Sequence, residues 1–196
     1  MPGDALTPAA PRAGWHGKLP CRGDFLGGGA QGRLIEGWRD WALTGLAMVR
    51  AGGEAARDAF LIAPVWRFAA RSGVFGPVAG YGLIAPGADA GGRLFPVLAA
   101  VETPIADPDA TLDAVGPWLD AAEAAILAAL DPAAEPDALT AALDGAPPAP
   151  DCEIAGPDAA FAAGPAENAD RAVAAGAASP ALFNTLFRLP PPEAAA

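Results

Sequence analysis

Polar and apolar residues follow two periods along this chain, one helical and one alternating. Over residues 33–50, Leu34, Trp38, Trp41, Gly45 and Met48 recur at intervals of four, three, four and three, and Ile35, Ala42 and Val49 widen the stripe. This is the spacing of one face of an amphipathic helix. Glu36, Arg39 and Asp40 fall mainly on the other side, and Gly52-Gly53 ends the run. The two tryptophans predict a large buried anchor, each contributing about 2–3 kcal/mol by area. A second stripe runs over 109–130 through Leu112, Val115, Leu119, Ala122, Ile126 and Leu130, with Asp113, Asp120 and Glu123 opposite. Pro117 places its proper start at Gly116-Pro117, because proline is at home in a first helical turn. Asp131-Pro132 stops it.

Strand patterns fill the space between. Trp15 to Leu26 reads as a short strand, a shaped turn and a second anchor. Phe60, Leu61 and Ile62 predict a buried strand, which Pro64 demotes to an edge or a strand end. Val65 and Arg67 then share one face, and Trp66 and Phe68 the other. Gly73 to Ala85 reads as a strand through small residues, a turn follows over Pro86 to Gly92, and Arg93 to Val101 is the strongest β pattern. The expected fold is α/β (α+β): a single domain with a mainly antiparallel sheet packed by two long helices. The expected organisation is a flexible N-terminus over 1–13, a core over 14–130 and an Ala/Pro-rich variable segment over 131–178. A final strand or helix of the same domain then covers 179–190, ahead of a tail over 191–196. Leu139 and Leu143 mark a short helix within the variable segment.

Composition narrows the partners. The chain has 196 residues, enough for one domain. Hydrophobic residues make up 53%, much of it alanine, so five Trp and eight Phe carry the core. A net charge of −11 repels nucleic acid and anionic membrane surfaces, which points to a protein partner. No run approaches the ~18 apolar residues of a membrane helix, and the first residues lack the apolar stretch of a secretory signal. A cytoplasmic location with reduced thiols is expected. Cys21 and Cys152 have neither zinc nor disulfide spacing, and with one histidine in the chain no metal or cofactor is expected.

Candidate chemistry concentrates in Gly14 to Leu26, GWHGKLPCRGDFL. It holds the only histidine, His16, and the only lysine, Lys18, among glycines and a proline that shape a loop. Gly27 to Gly32 satisfies GxGxxG, with Glu54 about 20 residues on, but no buried strand precedes it, so it reads as a flexible linker into the helix. Arg22-Gly23-Asp24 spells an integrin-binding tripeptide, for which a cytoplasmic protein has no use. Cys21 and His16, with Asp24 orienting the imidazole, are the one conceivable nucleophilic set, and the basis of an alternative reading as a small enzyme. No Walker loop, HExxH or GxSxG is present. The residues read as a binding protein rather than a catalyst.

Five motifs stand in order: Gly14 to Pro20 with Arg22-Gly23-Asp24-Phe25, a helix bearing Trp38 and Trp41, Ala63-Pro64-Val65-Trp66-Arg67-Phe68, Gly76-Pro77, and Gly92-Arg93-Leu94-Phe95-Pro96. Together they resemble the TagF (also called ImpM) family of type VI secretion accessory proteins. The family's Ser-Leu-Trp-Trp run has only Pro180-Ala181-Leu182-Phe183-Asn184 as its nearest counterpart. The resemblance implies a cytoplasmic, non-enzymatic domain that represses type VI secretion after translation by binding the forkhead-associated scaffold protein. A generic adaptor outside secretion is the remaining alternative. Lys18, Arg22, Asp24, Arg67 and Arg93 are the expected contact residues, arginine being favoured at hot spots. Gly17, Pro20, Gly23, Phe25, Trp38, Trp41, Pro64, Trp66, Phe68, Pro77, Phe95 and Pro96 are expected to be structural. A rival, internal reading pairs Asp24 with Arg67 or Arg93 and pins the loop to the sheet. A thiol-reactive probe separates the two classes: Cys21 is expected to react at the rate of an ordinary thiol, and unusually fast labelling would favour the enzyme.

Overall fold

Alternation along Trp66–Ala70 sets the architecture, because its two faces enter different cores. Trp66 and Phe68 join a cluster with Trp38, Phe75 and Phe161, whereas Ala69, with Val65 just ahead of the strand, joins Trp15, Tyr81 and Leu119. The computed structural model describes residues 11–164 and 169–191. Within them the strands are β1 (Ala13–Lys18), β2 (Phe25–Gly29), β3 (Trp66–Ala70), β4 (Gly80–Ala85), β5 (Val97–Glu102), β6 (Ala159–Ala163) and β7 (Asp170–Ala174). They form one sheet in the order β2-β1-β5-β4-β3-β6-β7, and every pairing is antiparallel.

Helices cover both faces. On one side lie α1 (Arg33–Ala51), α2 (Gly53–Leu61) and α6 (Pro180–Leu186); on the other lie α3 (Pro108–Ala114), α4 (Gly116–Ala129) and α5 (Pro136–Ala142). The expected α+β domain, with two long helices against an antiparallel sheet, is what the chain forms. The long helices α1 and α4 take opposite faces, so the sheet is buried on both sides. Its central strand β4 accordingly has no exposed position. Among the described residues, no helix is long and apolar enough to cross a membrane.

Several elements differ from the sequence reading, each for a physical reason. Phe60 and Leu61 close α2 and Ile62 caps it, rather than forming a strand. The preceding Glu54 to Ala59 are mostly good helix formers, and they carry the turn through to Phe60 before Pro64. Only Phe60 of that apolar trio is buried, and Ile62 is 83% exposed. Gly27 to Gly29 are not a linker but paired strand, opposite His16, Trp15 and Gly14. The segment over 73–79 is a turn, and its strand begins only at Gly80. The 131–178 segment forms the short helix expected at Leu139 and Leu143, α5, and also contributes β6 and β7, with β6 beside β3 in the same sheet. Strand β1 begins at Ala13; residues 1–10 and the tail from 192 lie outside the described residues.

Indole N–H groups from the first half of the chain hold the late elements. Trp15 donates to the Thr140 hydroxyl of α5 at 2.8 Å, Trp41 to the Ser179 carbonyl at 3.0 Å, and Trp66 to the Leu186 carbonyl at 2.7 Å. Phe183 of α6 fills the space between Trp41 and Phe60, with ring centroids 5.2 and 6.4 Å away. Helix α1 has Gly32 at its N-cap and no side-chain cap there. Instead the Glu102 carboxylate, at the end of β5, accepts the Leu34 N–H at 2.6 Å, placing an anion at the positive helix terminus. Phe183→Ala would leave a cavity on a fully buried ring, and a loss of about 3–5 kcal/mol in denaturant unfolding is expected.

Candidate protein-binding groove

The turn that follows β1 is fixed by one carboxylate. Asp89, whose side chain is fully buried, accepts from Lys18 Nζ at 2.7 Å and from Arg93 Nε at 2.7 Å. Its second oxygen accepts the Gly91 and Arg93 N–H groups, each at 2.9 Å. Lys18, chiefly, with the Arg93 and Gly91 hydrogen bonds, holds the Asp89 carboxyl well below the usual carboxylate range, against the opposing effect of burial. The hairpin turn is tied to the same loop: Ala90 N–H donates to the Arg22 carbonyl at 2.7 Å, and Arg93 donates to the Gly23 carbonyl. Gly17 packs so closely against the loop's end that a Cβ there would stand 2.6 Å from the Pro96 carbonyl oxygen.

Aromatic rings complete the joint. Phe25 stacks on His16 at 5.3 Å and meets Phe95 edge-on at 4.8 Å, with Trp38 behind Phe95 at 5.7 Å. The Lys18 ammonium also lies 4.9 Å from the Phe25 ring centre. Burial, then the Arg39 charge, lowers the His16 pKa from its ordinary value, so the neutral imidazole is favoured.

Beside this joint opens a groove of about 600 Å³ between α1, α2 and the 92–95 segment. Its apolar lining is Phe25, Leu43, Leu46, Val49, Leu94 and Phe95, and its cations are Lys18, Arg50, Arg57 and Arg93. Arg57 Nη1 donates to the Gly92 carbonyl at 3.1 Å; Arg50, in the last turn of α1, forms no ion pair among the described residues. The groove exists because Gly53, at φ +65°, turns the chain sharply from α1 into α2.

Residues 14–146 match the model of the TagF N-terminal domain, Type VI secretion system-associated. The chain belongs to that family. Among solved structures, it is similar to PA0076 from Pseudomonas aeruginosa PAO1, with 34% identity and a TM-score of 0.61, covering 72% of this chain and 64% of that one. No curated protein matches the chain.

The TagF-type motifs now have places. GKLP and GRLFP meet through Lys18, Asp89 and Arg93 at one end of the sheet. The tryptophans of the α1 and PVWRF motifs, Trp41 and Trp66, bind the ends of α6. Pro77 lies in the exposed turn before β4, and Pro64 links α2 to β3. The expected contact residues separate. Arg22 and Arg93 are exposed beside the groove, while Lys18 is buried beneath it with 8% of its side chain accessible. Arg67 lies on the opposite face of the sheet, 2.7 Å from Glu123 and 2.8 Å from Asp120 of α4. The rival internal pairing, of Asp24 with Arg67 or Arg93, does not form. Its carboxylate accepts the Phe25 N–H at 2.7 Å, and Arg67 and Arg93 take acids of their own.

Asp89, Arg50, Arg57 and Leu43 were missed from the sequence. Asp89 carried a signal, as the only acid between Asp58 and Glu102. The two arginines did not, because they lie on either side of a helix break whose angle the sequence leaves open. Since Asp89 has a lowered pKa in the fold, its contribution is complete above the ordinary carboxylate value near pH ~4 and is lost as pH falls through the folded value. Asp89→Asn is therefore expected to lower the unfolding midpoint at neutral pH, with the gap to the wild type narrowing below about pH 4. A gap independent of pH would refute the pairing.

Proposed function

We propose that this chain is a non-catalytic cytoplasmic module that represses type VI secretion after translation by binding the forkhead-associated scaffold protein. The family match over residues 14–146 carries this reading. The groove supports it from the side of physics, because an open apolar trough with arginines on its rim has the composition of a protein-recognition hot spot. Repression then needs no bond-breaking step: the bound domain covers a scaffold surface that assembly of the secretion machine requires.

The geometry of the loop residues also supports a binding role. Cys21 packs against the α4-side core, whereas His16 stacks on Phe25 on the α1 side. His16 Nε2 has no hydrogen-bond partner among the described residues, and Asp24 is engaged with its neighbour's N–H. A thiol and an imidazole directed to opposite faces lack the contact that nucleophile activation requires.

The test is capture of the purified scaffold by the full chain, together with secretion measured in cells that overproduce it. Saturable binding and reduced secretion are expected. No binding up to about 100 μM, the range of a weak contact, would overturn the assignment of partner.

A further inference from the structure

We infer that the groove between α1, α2 and the 92–95 segment binds an acidic peptide segment of the partner, anchored by one large apolar side chain. This rests on reading the chain as a protein-binding module, and it adds the chemistry of what the module grips.

Charge is the first argument. Acids outnumber cations 23 to 12 in the chain, yet among the described residues the groove is lined by four cations and no acid. Asp89, buried below, offsets only part of that charge. The result is a local positive site on a strongly negative molecule, which steers an anionic segment to one place and repels it elsewhere. Three of the cations are arginines, whose planar donors suit carboxylates better than a lysine ammonium does.

Their mounting is the second argument. Arg50, Arg57 and Arg93 come from α1, α2 and the 86–96 loop. Arg57 is steadied by the Gly92 carbonyl and Arg93 by Asp89. Each still has donors facing solvent, since all three side chains belong to exposed residues. Holding Arg57 and Arg93 in advance removes ordering entropy that would otherwise oppose binding.

The floor is the third. Phe25 and Leu43 are 43% and 49% exposed, among the few large apolar side chains the fold leaves open. Both line the groove above Leu46, Val49 and Phe95, which are buried. A cavity of about 600 Å³ accommodates a large side chain and the main chain flanking it. Single-stranded nucleic acid fits less well: it needs a row of exposed aromatic faces along a continuous basic track, and here one exposed ring, Phe25, lines the trough of a chain whose net charge is −11.

The test is fluorescence anisotropy of the full chain with a labelled peptide of Asp and Glu around a single central Trp. The controls are a peptide with Lys replacing the acids and one with Ala replacing Trp. Binding of the acidic Trp peptide is expected, weakening with salt. It should fall roughly tenfold or more with the Ala peptide, with Arg50→Glu plus Arg57→Glu, and with Leu43→Asp, the loss of a hot-spot contact. These positions are exposed, and an unchanged circular dichroism melt confirms the fold of each variant. Equal binding by the double arginine variant, a preference for the Lys peptide, tighter groove-dependent binding of a single-stranded oligonucleotide, or no binding at about 1 mM would overturn the inference. Capture of the scaffold by wild type and double variant alike removes the groove while leaving the proposed partner. Peptide binding without scaffold capture removes that partner and keeps the groove chemistry.

Discussion

The Asp89 carboxylate is the constraint on which the working end of this domain depends. It is buried, and a buried carboxylate is tolerated only when its charge and lone pairs are met. Lys18, the Arg93 side chain and two backbone N–H groups meet them. These donors come from two separate motifs, the hairpin strand β1 and the loop before β5. The anion thus makes the hairpin, the loop and the sheet one unit, and the only lysine of the chain is committed to it. Phe25, Phe95 and the 92–95 wall of the groove take their positions from that unit.

A second device works at longer range. The tryptophans are large enough to reach across the sheet layers, and each buried indole N–H seeks an acceptor. Trp15, Trp41 and Trp66 find theirs on α5 and at the two ends of α6. A C-terminal region rich in alanine and proline, whose apolar area is concentrated in Phe161 and the 182–187 run, is ordered against a core built earlier in the chain. Trp38 and Trp118 differ in having no acceptor for their N–H among the described residues, and they contribute through edge contacts with Phe95 and Tyr81.

The groove follows from both devices. Its floor is the outer edge of the α1-side core, its far wall is the loop that Asp89 organises, and its opening comes from the sharp turn at Gly53. Rigid supports beneath and an exposed rim above make a surface suited to recognition with little rearrangement on binding.

The sequence by itself determined the periodic elements and the class of fold. The α1 stripe, the start of α4 at Gly116, the two-faced β3 and the antiparallel sheet were legible because each rests on local spacing. Motif order was legible too, and with it the family. Tertiary structure alone decided the rest. The glycines of 27–29 became strand because β1 offered them hydrogen bonds. Alanine-rich β6 and β7 carry too little side-chain pattern to declare themselves. The site was half legible: Lys18, Arg93, Phe25 and Phe95 stood in motifs, but which of them a partner could reach depended on burial. Asp89 had to be folded against Lys18 before its role existed, and Arg50 and Arg57 became neighbours in one groove only through the angle between two helices. Pairing and burial are relations between distant residues, and no local spacing encodes them.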